Sequence, residues 1–105
     1  MEKFFLFTNG GGMTDPLNFD RTEAILLPLS NLTGIRPTDS RTITMFFEGS
    51  QSNTSVNIKI KNRSHVKIMS LIGTTIYKSE KAIITIGDVG TNRYIHPDIY
   101  DVVIN

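Results

Sequence analysis

A chain of 105 residues, 39% of them hydrophobic and with a formal net charge of +1, is long enough to bury a core without staples and too apolar to stay disordered. It contains no cysteine, which excludes disulfides, a thiolate nucleophile and Cys-ligated zinc or iron–sulfur centres. The balanced total hides an asymmetry: residues 49–87 carry six basic side chains and one acid, whereas the remainder carries five basic and nine acidic ones.

A basic middle segment of this kind can attract phosphate backbones or acidic partners, although a solvated strand face beside a solvated helix face is the commoner source of such a pattern. Isoleucine and threonine number 14 and 12 against two alanines, Ala24 and Ala82. β-branched side chains fit a pleated, half-buried surface and alanine is the best helix former, so this usage favours strands. We expect one domain over residues 1–105, mainly β and of the α+β class, with antiparallel strands and one helix packed on them.

Lys3 to Thr8 reads as the first strand, stopped by the turn Asn9-Gly10-Gly11-Gly12. Its apolar run, Phe4 to Phe7, is too short for a secretory signal or a membrane helix, so no membrane partner is expected. Met13 to Phe19 contains Asp15-Pro16 and no periodicity, and reads as a loop. Thr22 to Leu29 is apolar enough for a strand, but Pro28 cannot donate to a ladder and confines it to an edge or an end. Leu32 to Ile35 continues it after a bend, and Arg36 to Ser40 reads as a turn cluster.

The clearest signal follows. Ile43, Met45 and Phe47 share one face of a strand from Arg41 to Phe47, and Val56, Ile58 and Ile60 share one face of another from Ser55 to Lys61. Strict alternation marks strands buried on one side, and the polar stretch between them, with Gly49, predicts a hairpin. Ser64 then stands where a helix N-cap would, its hydroxyl available to a first-turn N–H. Val66, Met69, Ile72 and Ile76 recur at helical spacing, with Ile68 and Leu71 widening the stripe. Ala82 to Ile86 is a short strand ended by Gly87-Asp88. Arg93 to His96 is held extended by Pro97. Ile99 to Ile104 is a last strand, with Tyr100, Val102 and Ile104 on one face.

Motifs for catalysis are missing. Gly10-Gly11-Gly12 leads into Met13-Thr14-Asp15-Pro16 and not into the Gly-Lys-Ser/Thr of a phosphate loop. His65 and His96 would need to converge with Asp98 or Asp88 to hold a metal, and nothing in their spacing requires it. No Gly-x-Ser-x-Gly elbow is present and the acids are scattered, so we expect no enzyme, no cofactor and no metal. What remains is surface. Lys59 and Lys61 project from the polar face of one strand, with Arg63 and Lys67 just beyond, and Arg93 and Tyr94 lie in a separate loop. Lysine and arginine contact phosphates and tyrosine can stack on a base, which makes these six the candidate nucleic-acid-binding residues. The first and last strands, aromatic and apolar, either pair within the sheet or pair with a neighbouring subunit, and head-to-tail pairing closes a ring.

The opening Phe4-Phe5-Leu6-Phe7-Thr8, the hairpin of Thr42-Ile43-Thr44-Met45-Phe46-Phe47 with Val56 to Ile60, the helix start His65-Val66-Lys67-Ile68-Met69 and the close Asn92-Arg93-Tyr94-Ile95-His96-Pro97 cover most of the chain. They resemble small proteins known from marine metagenomes and attributed to cyanophages, some with an Sm-like fold. The resemblance implies a strongly bent antiparallel sheet or small open barrel, assembled as a cyclic homo-oligomer, able to bind RNA or DNA, and cytoplasmic in an infected bacterial host. Ordinary Sm proteins begin with a helix and carry Arg-Gly before the last strand. This chain does neither, so no Sm base-binding residue carries over. The expected function is a non-enzymatic, ring-forming nucleic-acid-binding protein, and its rival is a structural or assembly component of a phage particle.

Overall fold

Period-2 alternation and one stretch of helical spacing resolve into β1 (Phe4–Thr8), β2 (Ala24–Pro28), β3 (Leu32–Asp39), β4 (Thr42–Glu48), β5 (Asn53–Ile60), α1 (His65–Lys78), β6 (Ile83–Asp88), β7 (Arg93–Tyr94) and β8 (Ile99–Ile104). The structure, a computed structural model, describes residues 2–8, 24–49 and 53–105. The expected Asn9 to Gly12 turn and Met13 to Phe19 loop lie outside these residues. The strands form two four-stranded sheets, sheet I in the order β2-β1-β6-β7 and sheet II in the order β3-β4-β5-β8.

The protein is mainly β with one helix, as the composition predicts, but the expected single bent sheet or open barrel is two separate sheets packed together. The cause lies at Pro28. It ends β2 on the outer edge of sheet I, and a 3₁₀ turn, Leu29–Asn31, carries the chain across to begin β3 in sheet II. What reads in sequence as one strand resumed after a bend is a change of sheet. Nor is the pairing all antiparallel: β1 runs parallel to β6, as strands joined by long connections can.

The inward faces of the two sheets meet around three aromatic rings. Phe5 and Phe7 of β1 pack edge-on against Phe47 of β4, with centroids 5.9 and 6.0 Å apart. Such pairs add about 0.5–1.5 kcal/mol beyond the burial itself. Ile43, Met45, Val56, Ile58, Ile60, Ile86 and Val102 complete a single buried cluster with Ile68 and Ile72 of α1. The β4–β5 hairpin has the expected faces and pairs Thr42 with Lys59 through Glu48 with Asn53.

Three local expectations are corrected. Arg36 to Asp39 belongs to β3, and the turn is confined to Ser40 and Arg41, where the Asp39 carboxylate accepts the Arg41 N–H at 2.8 Å. Pro37 is tolerated because β3 is an edge strand with a bulge beside that residue. In α1, Ile68 and Ile72 face the core while Val66 is 77% exposed; the helix is rolled so that its first apolar residue misses the buried face. In β8, Tyr100 points outward, 52% exposed. Ile60 pairs with Ile99 and Lys59 with Asp101, so Tyr100 is the extra residue of a bulge that moves Ile99 to the inside. No helix of the described residues is long and apolar enough to cross a membrane.

Candidate functional site

β5 ends at Ile60 and the chain must reverse to start α1. The reversal, Lys61 to Ser64, is closed by Ser64 N–H donating to the Lys61 carbonyl at 3.2 Å and by Arg63 in the left-handed region at φ 66°. It is tied on both sides. Ile60 and Arg63 donate to the carbonyls of Arg41 and Ser40, at 2.9 and 3.4 Å, and Lys61 donates to that of Asp98 at 2.8 Å. His65 Nε2 donates to the Asp39 carbonyl at 2.7 Å, since a carbonyl can only accept. One end of sheet II therefore gathers three turns around residues 39–41, 61–64 and 96–98.

Four sequence-predicted residues come together there. Lys59 lies on the outward face of β5 and donates to the Thr42 hydroxyl at 3.3 Å. Lys61 and Arg63 are exposed in the turn, and Lys67 is exposed in the first turn of α1. Carboxylates share the region. Lys61 Nζ is 3.8 Å from Asp98 Oδ1, but its side chain is 69% exposed, so that pair contributes little. Asp101 is paired across from Lys59. Among the described residues, no carboxylate lies within ion-pair distance of Arg63 or Lys67. α1 has no acidic residue in its first turn, which leaves the positive end of its dipole uncompensated from within the helix.

Ser64 holds the N-cap position of α1 as expected, but its hydroxyl makes no cap hydrogen bond and donates instead to Asp98 Oδ2 at 2.8 Å. That hydrogen bond holds the Asp98 carboxyl below its ordinary value; burial opposes it, and His96, Lys61 and Lys67 reinforce it. His96 Nδ1 accepts the Asp98 N–H at 3.0 Å. Serine, histidine and aspartate are thus close, but the histidine does not stand between the other two: the serine hydroxyl is held by the carboxylate and not by an imidazole. Among the described residues no three potential metal ligands gather.

Arg93 and Tyr94 are not part of this cluster. They form β7 at the edge of sheet I, whereas Lys59 stands on β5 inside sheet II. Arg93 is exposed and pairs in register with Asp88. The Tyr94 hydroxyl donates to the Tyr100 carbonyl at 3.2 Å, satisfying the bulge of β8. Burial, then the neighbouring Asp101 and Asp88, raise its ionisation above the ordinary phenol value.

A second feature went unassigned in the sequence although its signal was there. With Ile43, Met45 and Phe47 inward, Phe46 must face outward, beside the polar side chains of Thr44, Ser55 and Asn57, with Val103 of β8 a further apolar side chain on that face. The Thr44 hydroxyl donates to Asn57 Oδ1 at 2.8 Å and accepts from Thr38 at 2.9 Å, a row across three strands. Next to it, the Arg36 guanidinium lies 4.7 Å from the centre of the Phe46 ring. Comparison with protein-family models, curated proteins and solved structures found no match for the chain.

Proposed function

We propose that the chain is a non-enzymatic nucleic-acid-binding protein that takes backbone phosphates at the basic turn between β5 and α1. The observation that carries this is Arg63. A left-handed backbone costs a residue with a Cβ about 1 kcal/mol or more relative to glycine, yet the position holds a charged side chain, exposed between Lys61 and Lys67. Strain retained at an exposed charge on a tied turn points to a use for the charge. Lys59, on the same end of sheet II, extends the cluster along the outward face of β5. The Sm-like relationship implied by the sequence would agree with this activity, and it rests on the resemblance alone.

Fluorescence anisotropy with labelled single-stranded RNA and DNA over a salt series tests the proposal. Affinity should fall steeply as salt rises, because counterion release drives phosphate binding. Lys61→Gln/Arg63→Gln/Lys67→Gln should weaken binding and flatten the logarithmic salt slope by about 2, since each phosphate contact on a single strand contributes roughly 0.7. Arg63→Gly alone should weaken binding while leaving the unfolding midpoint unchanged or higher, because it relieves the backbone and removes the charge. Flat anisotropy at low salt for both polymers would overturn the proposal in favour of a structural component of a particle.

A further inference from the structure

We propose that the outward face of sheet II stacks an unpaired base on the Arg36–Phe46 pair, so that the protein selects single-stranded nucleic acid. This rests on the phosphate-binding role proposed above and adds the part of the ligand that is not phosphate. Phe46 sits on the second strand of the sheet, only partly buried, at a position where alternation calls for a polar side chain. Arg36 covers its ring, and a guanidinium is planar and weakly hydrated, with a second face on which a ring can stack. Base stacking on aromatic side chains and on arginine planes is the general way in which single strands are held.

The surroundings leave room for a base. Gly34 is the residue of β3 in register with Phe46, and a Cβ built there would meet nothing within 4 Å. Open depressions of about 340 and 380 Å³ flank the ring, the first against Gly34 and Arg36, the second against Glu48 and Ser55. Asn57 and Thr44 fill the next row of the same face, and Lys59 the row after. Two rows of a strand span about 13 Å. A single strand lying along β5 would reach from the ring to Lys59 and on to the basic turn. Glu48 lies at the end of β4, and Asp39 and Asp101 flank the row of Lys59, while between Phe46 and that row the β4 and β5 positions of this face are Thr44 and Asn57.

Anisotropy of the native chain on labelled oligothymidylate, oligouridylate, an abasic strand of the same length and a duplex reads the proposal directly. Both base-bearing strands should bind about tenfold or more tightly than the abasic strand, and more tightly than the duplex. Gly34→Val places a side chain in open space beside the ring without strain. It should fold as the native chain does, lose most of the preference for bases and keep the abasic affinity with its salt slope. Phe46→Leu, which keeps the apolar bulk and removes the ring, should do the same. Equal binding of base-bearing and abasic strands by the native chain, or a preference that survives both variants, would overturn the platform and leave the phosphate site standing. Absence of binding to every strand would overturn both.

Discussion

Asp98 draws together the contacts that fix the candidate site. Its N–H is held by His96, its carbonyl by Lys61, and its carboxylate by the Ser64 hydroxyl. Because that hydroxyl, more than any neighbouring charge, lowers the carboxyl from its ordinary 3.8, the folded state binds the Asp98 proton less readily than the unfolded chain does. A group depressed in this way contributes stability above the ordinary value and loses it as pH falls through the depressed one. Asp98→Asn should therefore be less stable than the native chain at neutral pH, with the gap closing below pH 3.8. Urea unfolding of both across that range checks it, and a gap unchanged down to about pH 2 would assign Asp98 a role that does not depend on its charge. Ser64 shows why such a residue is half-legible in sequence. Its place before the apolar stripe locates the start of α1, but its partner lies 34 positions away, beyond anything local patterning carries. Arg63 is hidden for a similar reason: the left-handed turn at φ 66° carries none of the glycine that normally announces it.

At the scale of elements, periodicity locates the strands and the helix and misjudges their rotation where a bulge or a roll intervenes. The stripe of α1 was legible as Met69, Ile72 and Ile76, but a helical wheel cannot tell that Val66 falls outside the buried arc. Ile72→Ala should cost about 2–5 kcal/mol, as a truncation among fully packed neighbours does, whereas Val66→Ala should stay within about 0.5 kcal/mol. Urea denaturation of the two variants decides it. Comparable losses would mean that α1 packs in a different rotation from the one that buries Ile68 and Ile72. β8 carries the same lesson in extended form. Alternation counted back from Ile104 and Val102 places Tyr100 inside, and one inserted residue opposite Lys59 and Ile60 reverses it. Phe46 is the opposite case: alternation places it outward, and its significance came only with Arg36 and Gly34, which β3 brings alongside from a stretch that reads in sequence as partly a turn.

For the whole molecule, the decisive event is the passage between sheets after Pro28, because it sets which strands end as edges. Composition and alternation contain the inventory of strands but not their partners, since pairing β1 with β6 joins residues about 80 positions apart. The edges bear on assembly. Of the first and last strands, whose head-to-tail pairing would close a ring, β1 is paired inside sheet I between β2 and β6, so such a ring would have to join β3 of one copy to β8 of the next, the two edges of sheet II. β3 carries Pro37 and two register shifts, and β8 carries the Tyr100 bulge, whose carbonyl already accepts from Tyr94. Proline, bulges and satisfied carbonyls are the devices by which edges resist strand addition. In sheet I, β2 is five residues ending in Pro28 and β7 is two. Sedimentation velocity at micromolar concentration should accordingly return the mass of a single chain, with the salt-sensitive affinity for single strands already present in that species. A closed assembly several chains in mass would show that the interrupted edges pair after all, and would make the ring, with one basic turn per copy, the unit that binds.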